Sequence, residues 1–381
     1  MLTEPEKILD ILSMRLVSAT RDKATGSLGQ PRLRICRGRA QRRIRWHHGT
    51  VIENVQGRIW RHGELQDDFN LGMVSDCIDD KDLLVWADLV NPSHEALTEL
   101  ASELDLNTFA VEDALAAAER VKATSYPTHK FITVYAVDMD PDAGEPQRGD
   151  AIHTHRISMF IKHNALITVR LSDEFDMNQV LERWDQMGGQ QHGVGALTHG
   201  LLDVVVDGHF DAVQELDDSI EKLESLLFDD RRRGSELQQR TYQLRKDLVA
   251  LRRVVMPMRE VVSMIQRSRL ENKAPSELDP NFTDLYDHVL RATEWTESLR
   301  DMITSLFETN LSLQDARLNT VMKKLTGWAA IIAVPTAVTG FYGQNVPFPG
   351  FEHSGGFISS SIIIVVTVTT LYLVFKRREW L

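Results

Sequence analysis

Two uncharged stretches late in the chain limit what it can fold into. Residues 325–342 and 357–375 hold 18 and 19 residues, and neither contains Asp, Glu, Lys or Arg. As helices each would run about 27–28 Å, close to the hydrocarbon thickness of a bilayer. One such helix can be a buried core element. Two in succession, with 14 residues between them, predict a membrane hairpin. The flanks orient it. Lys323 and Lys324 precede the first stretch, Lys376, Arg377 and Arg378 follow the second, and the connecting loop has one acid, Glu352, and no Lys or Arg. The positive-inside rule puts both ends in the cytoplasm of a multi-pass protein of the inner (plasma) membrane, with the loop outside.

A two-span hairpin is too small to enclose a water path alone. It either anchors the chain, or several copies surround a pore. At helical spacing one face of the first span reads Asn319, Met322, Thr326, Ala329, Ala333, Thr336 and Gly340, small or polar from Thr326 onward, whereas Trp328, Ile331, Ile332, Val334, Val338 and Phe341 lie elsewhere. Small residues also serve close helix packing. The threonines and the polar outer end favour a pore face. Pro335 frees a carbonyl in mid-span and permits a kink.

The remaining chain reads as soluble. "LLVWADLV" (83–90), "FITVYAVDM" (131–139), "HTHRISMFI" (153–161) and "ALITVRL" (165–171) read as strands, the last two joined by a turn at "KHN". "SHEALTELASELDL" and "NTFAVEDALAAAERV" read as helices capped by Ser or Asn. These elements predict an α+β cytoplasmic domain over 51–172, behind an N-terminal extension over 1–50. From 173 the strand signals stop. Long helical stretches follow at about 194–229, 234–271 and 281–342, with "NKAPSELDPN" as the break before the last. The resulting division is long acidic helices over 173–280, a stalk helix over 281–324, spans over 325–342 and 357–375, an outer loop over 343–356 and a basic tail over 376–381.

Charge narrows the function. The net charge of −12 argues against nucleic acid as the main partner. "RLRICRGRAQRRIR" (32–45) runs the other way and reads as a solvated extension, or as a patch for anionic lipid or RNA. Cys36 and Cys77 are too few for a disulfide framework and fit a reducing compartment. The opening residues lack an apolar signal segment. Asp203, Asp207, Asp211 and Glu215 recur every four residues. They read as a solvated helix face, or as a negative potential beside a cation path.

The segment "NTVMKKLTGWAAIIAVPTAVTGFYGQN" (319–345) resembles the first span of the CorA family of divalent-cation transporters, two-span proteins with a Gly-Met-Asn signature. Here Tyr342, Gly343, Gln344 and Asn345 occupy the signature positions, with Gln344 in place of Met. "FTDLYDHVLRATEWTESLRDMITSLFETNLSLQDARLNTVMK" (282–323) is similar to the family's stalk helix, "FKRREWL" to its basic ending, and "FAVEDAL" (109–115) to the acidic segment of its cytoplasmic domain. The resemblance implies a CorA-like homopentamer in the lipid bilayer that passes Mg²⁺, and also Co²⁺ or Ni²⁺, with no covalent cofactor and no nucleic-acid partner. Gly-x-Asn variants extend to the zinc-transporting ZntB branch. With His353 in the outer loop, that keeps Zn²⁺ open as the ion.

The resemblance also assigns roles. Gly343, Gln344 and Asn345 would form the selectivity filter. Mg²⁺ sheds water reluctantly, and neutral amide oxygens suit weak outer-sphere contact with the hydrated ion. Val346, Pro347, Phe348, Pro349 and Gly350 would stop the helix. Asn319 would make an inner polar ring. Met322 with Leu325, or Leu325 with Ala329, would make a hydrophobic constriction, and Ala333, Thr336 and Gly340 would complete the lining. Lys323, Lys324, Lys376, Arg377 and Arg378 would form a basic collar. Glu112 and Asp113, facing Asp284 and Asp287 of a neighbouring subunit, would hold a regulatory cation, though the last two also suit a helix N-terminus. Two other readings stand beside this. One is a membrane-anchored enzyme using His153, His155 and nearby acids, for which no nucleophile elbow or phosphate loop is present. The other is a tethered scaffold.

Overall fold

The computed structural model describes residues 55–66, 69, 71–78, 80–140, 151–227, 234–344, 347, 350 and 353–380. The predicted N-terminal extension, the Arg-rich segment, Cys36 and Asn345 lie outside these residues.

Seven strands form one sheet: β1 (Val55–Arg61), β2 (Glu64–Gln66), β3 (Leu83–Val90), β4 (Lys122–Ser125), β5 (Lys130–Met139), β6 (Ile152–Ile161) and β7 (Ala165–Arg170). Their order is β2-β1-β3-β7-β6-β5-β4, and only the β3–β7 pair is parallel. The central strands are apolar on both faces because both are covered. On one face, Val85, Ala87, Leu89, Phe131, Ile167 and Val169 pack with the short helices α1 (Val74–Ile78), α2 (His94–Glu103) and α3 (Thr108–Leu115). On the other, Trp86, Ile132, Val134, Ile157, Met159 and Leu166 pack with α4 (Met177–Gln186), α5 (Gly193–Leu227), α6 (Gly234–Val255), α7 (Met258–Glu271) and the upper part of α8 (Asp279–Tyr342). A last helix, α9 (Ser354–Arg377), lies along the far end of α8.

Local chemistry sets the boundaries. Ser93 Oγ accepts from Ala96 N–H at 3.2 Å and Asn107 Oδ1 from Phe109 N–H at 3.0 Å, so the expected Ser and Asn caps are in place. The turn at 162–164 closes as expected through Lys162 N–H to the Ala165 carbonyl. Asn164 Nδ2 reaches back to the carbonyls of Asp80 and Leu83.

Three readings of the sequence need correction. The helix at "NTFAVEDALAAAERV" stops at Leu115, because Ala116 turns to ψ 141 and the chain leads into β4. The stretch 234–271 is two helices broken at Pro257, whose ring displaces the preceding turn. Helix α8 begins at Asp279, two residues before the expected 281, and it ends at Tyr342 as the sequence predicts, with Gly343 as its cap. Helix α8 has 64 residues and would span about 96 Å. Its N-terminus is held by three side chains. Arg269 bonds Asp279 and lies over the Phe282 ring, Gln266 Nε2 donates to the Phe282 carbonyl, and His199 Nε2 donates to the Asn281 carbonyl.

Candidate permeation and regulatory sites

Helix α8 separates its two faces clearly in the apolar half. Gly327 and Ile331 are buried, and Val334, Val338 and Tyr342 are half-buried, in one stripe. This stripe meets α9, and the Tyr342 hydroxyl lies 3.4 Å from Ser359 Oγ. Ala329, Ala333, Thr336 and Gly340 each follow a member of that stripe by two positions. Two residues of helix are roughly 200° of rotation, so these four point away from α9. They are exposed in the single chain, as are Asn319, Met322 and Leu325. The stripe read as a pore face is therefore turned away from α9, and the bulkier Trp328, Ile332 and Phe341 beside it are exposed as well.

Hydroxyls on this stretch serve the helix itself. Thr336 Oγ1 donates to the Ile332 carbonyl at 3.2 Å, and Thr339 Oγ1 to the Pro335 carbonyl at 2.8 Å. Pro335 sits inside α8 without breaking it. At the outer end Gly343 N–H closes on the Thr339 carbonyl at 2.8 Å and Gln344 N–H on that of Phe341 at 3.3 Å. Gly343 has φ −85, which any residue adopts, yet a Cβ there would come within 3.0 Å of the Thr339 carbonyl oxygen. A side chain there would need the cap to give by a few tenths of an ångström. Gln344 is exposed.

Within one chain the four acids assigned to regulation do not meet. Glu112 is exposed on α3. Asp113 is engaged by Lys122, whose Nζ lies 2.6 Å from Asp113 Oδ2 and 3.2 Å from Glu119 Oε1. Burial alone would lower the Lys122 ammonium, but the hydrogen bonds to the two carboxylates outweigh it and raise its pKa. Asp284 and Asp287 are exposed on α8, and Asp284 lies 3.8 Å from His288 Nε2.

The four-residue acidic repeat on α5 is not one solvated face. Asp203 is buried and hydrogen-bonded to Arg183 of α4, and Asp207 accepts from the same guanidinium at 2.6 Å. Burial pushes the Asp203 carboxyl up against the pull of His199 and Arg183. Among the described residues, Asp203, Asp207 and His288 form the group of three potential metal ligands whose ligand atoms lie within 4.8 Å of one another. Arg183 already pairs with both carboxylates. Asp211 and Glu215 are exposed as expected. They line, with Asp138, Glu174 and Asp207, a cavity of about 670 Å³ beside α4. Burial, then repulsion from Asp211 and Asp218, raises the Glu215 carboxyl. His155, an enzyme candidate, is a buried imidazole held 3.0 Å from both Asp138 and Glu174, and His153 is exposed.

At the other end of the hairpin, Lys323, Lys324, Lys376, Arg377 and Arg378 are all exposed. Helices α8 and α9 run antiparallel through a short connection, so both basic groups fall at the same end.

A soluble three-layer head, joined through one continuous helix to an apolar two-helix hairpin, defines a membrane protein of the two-span class. The sequence matches the CorA-like Mg²⁺ transporter protein family over residues 81–377, and the chain belongs to that family. Among relatives, the cobalt/magnesium transport protein CorA of Thermotoga maritima is 27% identical over 279 residues, 72% of this chain and 77% of that one. The zinc transport protein ZntB of Yersinia pseudotuberculosis is 26% identical over 286 residues, 71% and 80% of the two chains. The solved structure of the CorA magnesium transporter from Methanocaldococcus jannaschii superposes with a TM-score of 0.65 at 23% identity, over 85% of this chain and 98% of that one. The family consists of divalent-cation transporters that sit in the membrane, and its members are not enzymes.

Proposed function

We propose that the chain forms a homopentamer in the inner membrane, with both termini cytoplasmic, and conducts hydrated Mg²⁺, with Co²⁺ and Ni²⁺ as further substrates. The observation that carries this reading is the division of α8: the small and polar stripe through Ala329, Ala333, Thr336 and Gly340 lies opposite the stripe packed on α9. One chain leaves that stripe without a protein partner, and copies of itself around an axis would supply one. Asn345, with Gln344, then crowns the axis with amide oxygens that bind the ion's water shell weakly enough to release it. Asn319, Met322 and Leu325 continue the path inward, and the five basic residues collar its mouth. Glu112, Asp113, Asp284 and Asp287 bridge neighbouring subunits through a cytoplasmic cation that holds the closed ring.

Uptake into liposomes tests it. Asn345→Ala in a chain that still assembles is expected to lose most of the divalent-cation flux. Undiminished flux overturns the filter assignment. A second reading, Zn²⁺ transport, is favoured by Gln344 at the signature Met position and by the Yersinia relative. Competition among Mg²⁺, Co²⁺, Ni²⁺ and Zn²⁺, with and without a pH gradient, separates the two.

A further inference from the structure

The far end of α9 does not trail away from the helix. Arg378 N–H bonds the Val374 carbonyl at 3.1 Å, and Trp380 N–H bonds the Phe375 carbonyl at 2.9 Å. Between them Glu379 adopts φ 56, a left-handed conformation that a residue with a Cβ takes at some cost. The turn lays the Trp380 indole on the Phe375 ring, with centroids 5.4 Å apart and planes 3° from parallel. One turn earlier, Lys376 Nζ sits 5.9 Å from the Tyr372 ring centroid. The chain therefore closes into a hook that keeps an aromatic pair beside three exposed cations, Lys376, Arg377 and Arg378. Lys323 and Lys324 belong to the same end of the hairpin, and Glu379 is the acid on the hook itself.

We propose that this hook is a binding site for the phosphate headgroup of an anionic phospholipid. Stacked aromatic rings prefer the depth where acyl chains give way to headgroups. Trp380, fixed on Phe375, sets that depth, and the three cations around it meet the phosphate oxygens. Clusters of four to eight basic residues next to a span attract anionic lipid, and two lysines from α8 with three cations from α9 fall in that range. A collar at a pore mouth accounts for the charges but not for an indole folded back onto the last turn of the outer helix. The proposal goes beyond the transport reading and does not need a pore.

The test is a titration of the full-length protein in detergent with phosphatidylglycerol or phosphatidylcholine, with bound lipid counted by native mass spectrometry. The wild-type chain is expected to prefer phosphatidylglycerol. Removing cations with Lys376→Gln, Arg377→Gln and Arg378→Gln is expected to weaken that preference about fivefold per charge. Glu379→Gln, which leaves every cation in place, should strengthen it a few-fold. It also keeps the test decisive where the charge-removing variants do not assemble. Excess inorganic phosphate should not displace the lipid. Equal binding of the two lipids by the wild type overturns the proposal, as does a preference that neither kind of variant changes, or displacement by free phosphate. None of these readouts depends on flux, so they stand or fall apart from the filter assignment.

Discussion

Arg183 shows how much a single side chain carries in the soluble head. Its guanidinium holds Asp203 and Asp207 and so ties α4 to α5. Arg183→Met would leave the buried Asp203 without its counter-charge, and loss of one partner of a buried pair costs roughly 3–5 kcal/mol. Arg183 is partly exposed, so we expect about 2 kcal/mol, seen as a lower Tm of the detergent-solubilised protein. Restoring Tm by adding Asp203→Asn would identify the stranded carboxylate as the cause. His209 offers a second residue-scale outcome. It is almost fully buried, its Nε2 donates to the Tyr135 carbonyl at 2.8 Å, and burial lowers its pKa to about 4. Next to it Gly208 lets α5 approach β5 closely, since a Cβ there would stand 3.1 Å from the Val137 carbonyl oxygen. The unfolded chain binds a proton on this imidazole below about pH 6.5, and the folded one does not until about pH 4. Stability is thus complete above pH 6.5 and falls through that window by about 3 kcal/mol. His209→Gln keeps a donor without titrating. Its melting temperature should fall less between pH 7 and pH 4.5 than that of the wild type, and identical slopes would remove His209 from the account.

At the scale of elements, the two faces of α8 make opposite predictions for single cysteines. With Cys36 replaced by Ser, cysteines at 329, 333, 336 and 340 should react with a small water-soluble maleimide, because water would reach that stripe. Cysteines at 327, 331, 334 and 338 should be protected against α9. A uniform pattern along α8 would contradict a water-lined stripe. The small and polar stripe was legible as helical periodicity, but the packing of Gly327, Ile331, Val334 and Val338 on α9 was not, because periodicity does not say which neighbour a face meets. Strands β3, β5, β6 and β7 were legible as strands, but burial of both faces was not: β6 reads His153, Thr154, His155, Arg156 and Ser158 among its apolar residues, and it is the helices on both sides of the sheet that bury it. Helix α4 was missed although its signal is present: Asp176 caps it, and Met177, Val180, Leu181 and Trp184 recur at helical spacing. Ten residues among polar neighbours gave too short a pattern. Strand β4 is four residues, none buried, and nothing in "KATS" distinguishes it from a loop. In β1 the alternation is interrupted at Gly57, where the Phe69 ring occupies the space of a side chain. Asp203 and Asp207 were misread because spacing shows that carboxylates share a face but not that an arginine from a neighbouring helix, α4, meets two of them.

At the scale of the whole molecule, the question is how the head speaks to the hairpin, and α8 is the one continuous element joining them. Its first turns carry Asp284 and Asp287, and its last turns approach Gln344. A cation held by these acids and by Asp113 of a neighbouring subunit would act at one end of the helix on a path at the other. In the single chain, however, Asp113 is already occupied by a resident cation, the Lys122 ammonium at 2.6 Å. A divalent ion bound there would have to displace that ammonium, and its apparent affinity would be lower than the carboxylates alone would give. Lys122→Gln should free Asp113 and lower the internal Mg²⁺ concentration that halves the flux. Released competition of about 1 kcal/mol, an ordinary value for a partly exposed ion pair, corresponds to roughly fivefold. Asp113→Asn should move the same midpoint upward, since it removes a ligand rather than a competitor. The two variants therefore shift inhibition in opposite directions if Asp113 binds the ion. If Lys122→Gln and Asp113→Asn leave the midpoint where it was while Asn345→Ala still abolishes flux, the pore assignment holds and the head does not gate it through this carboxylate.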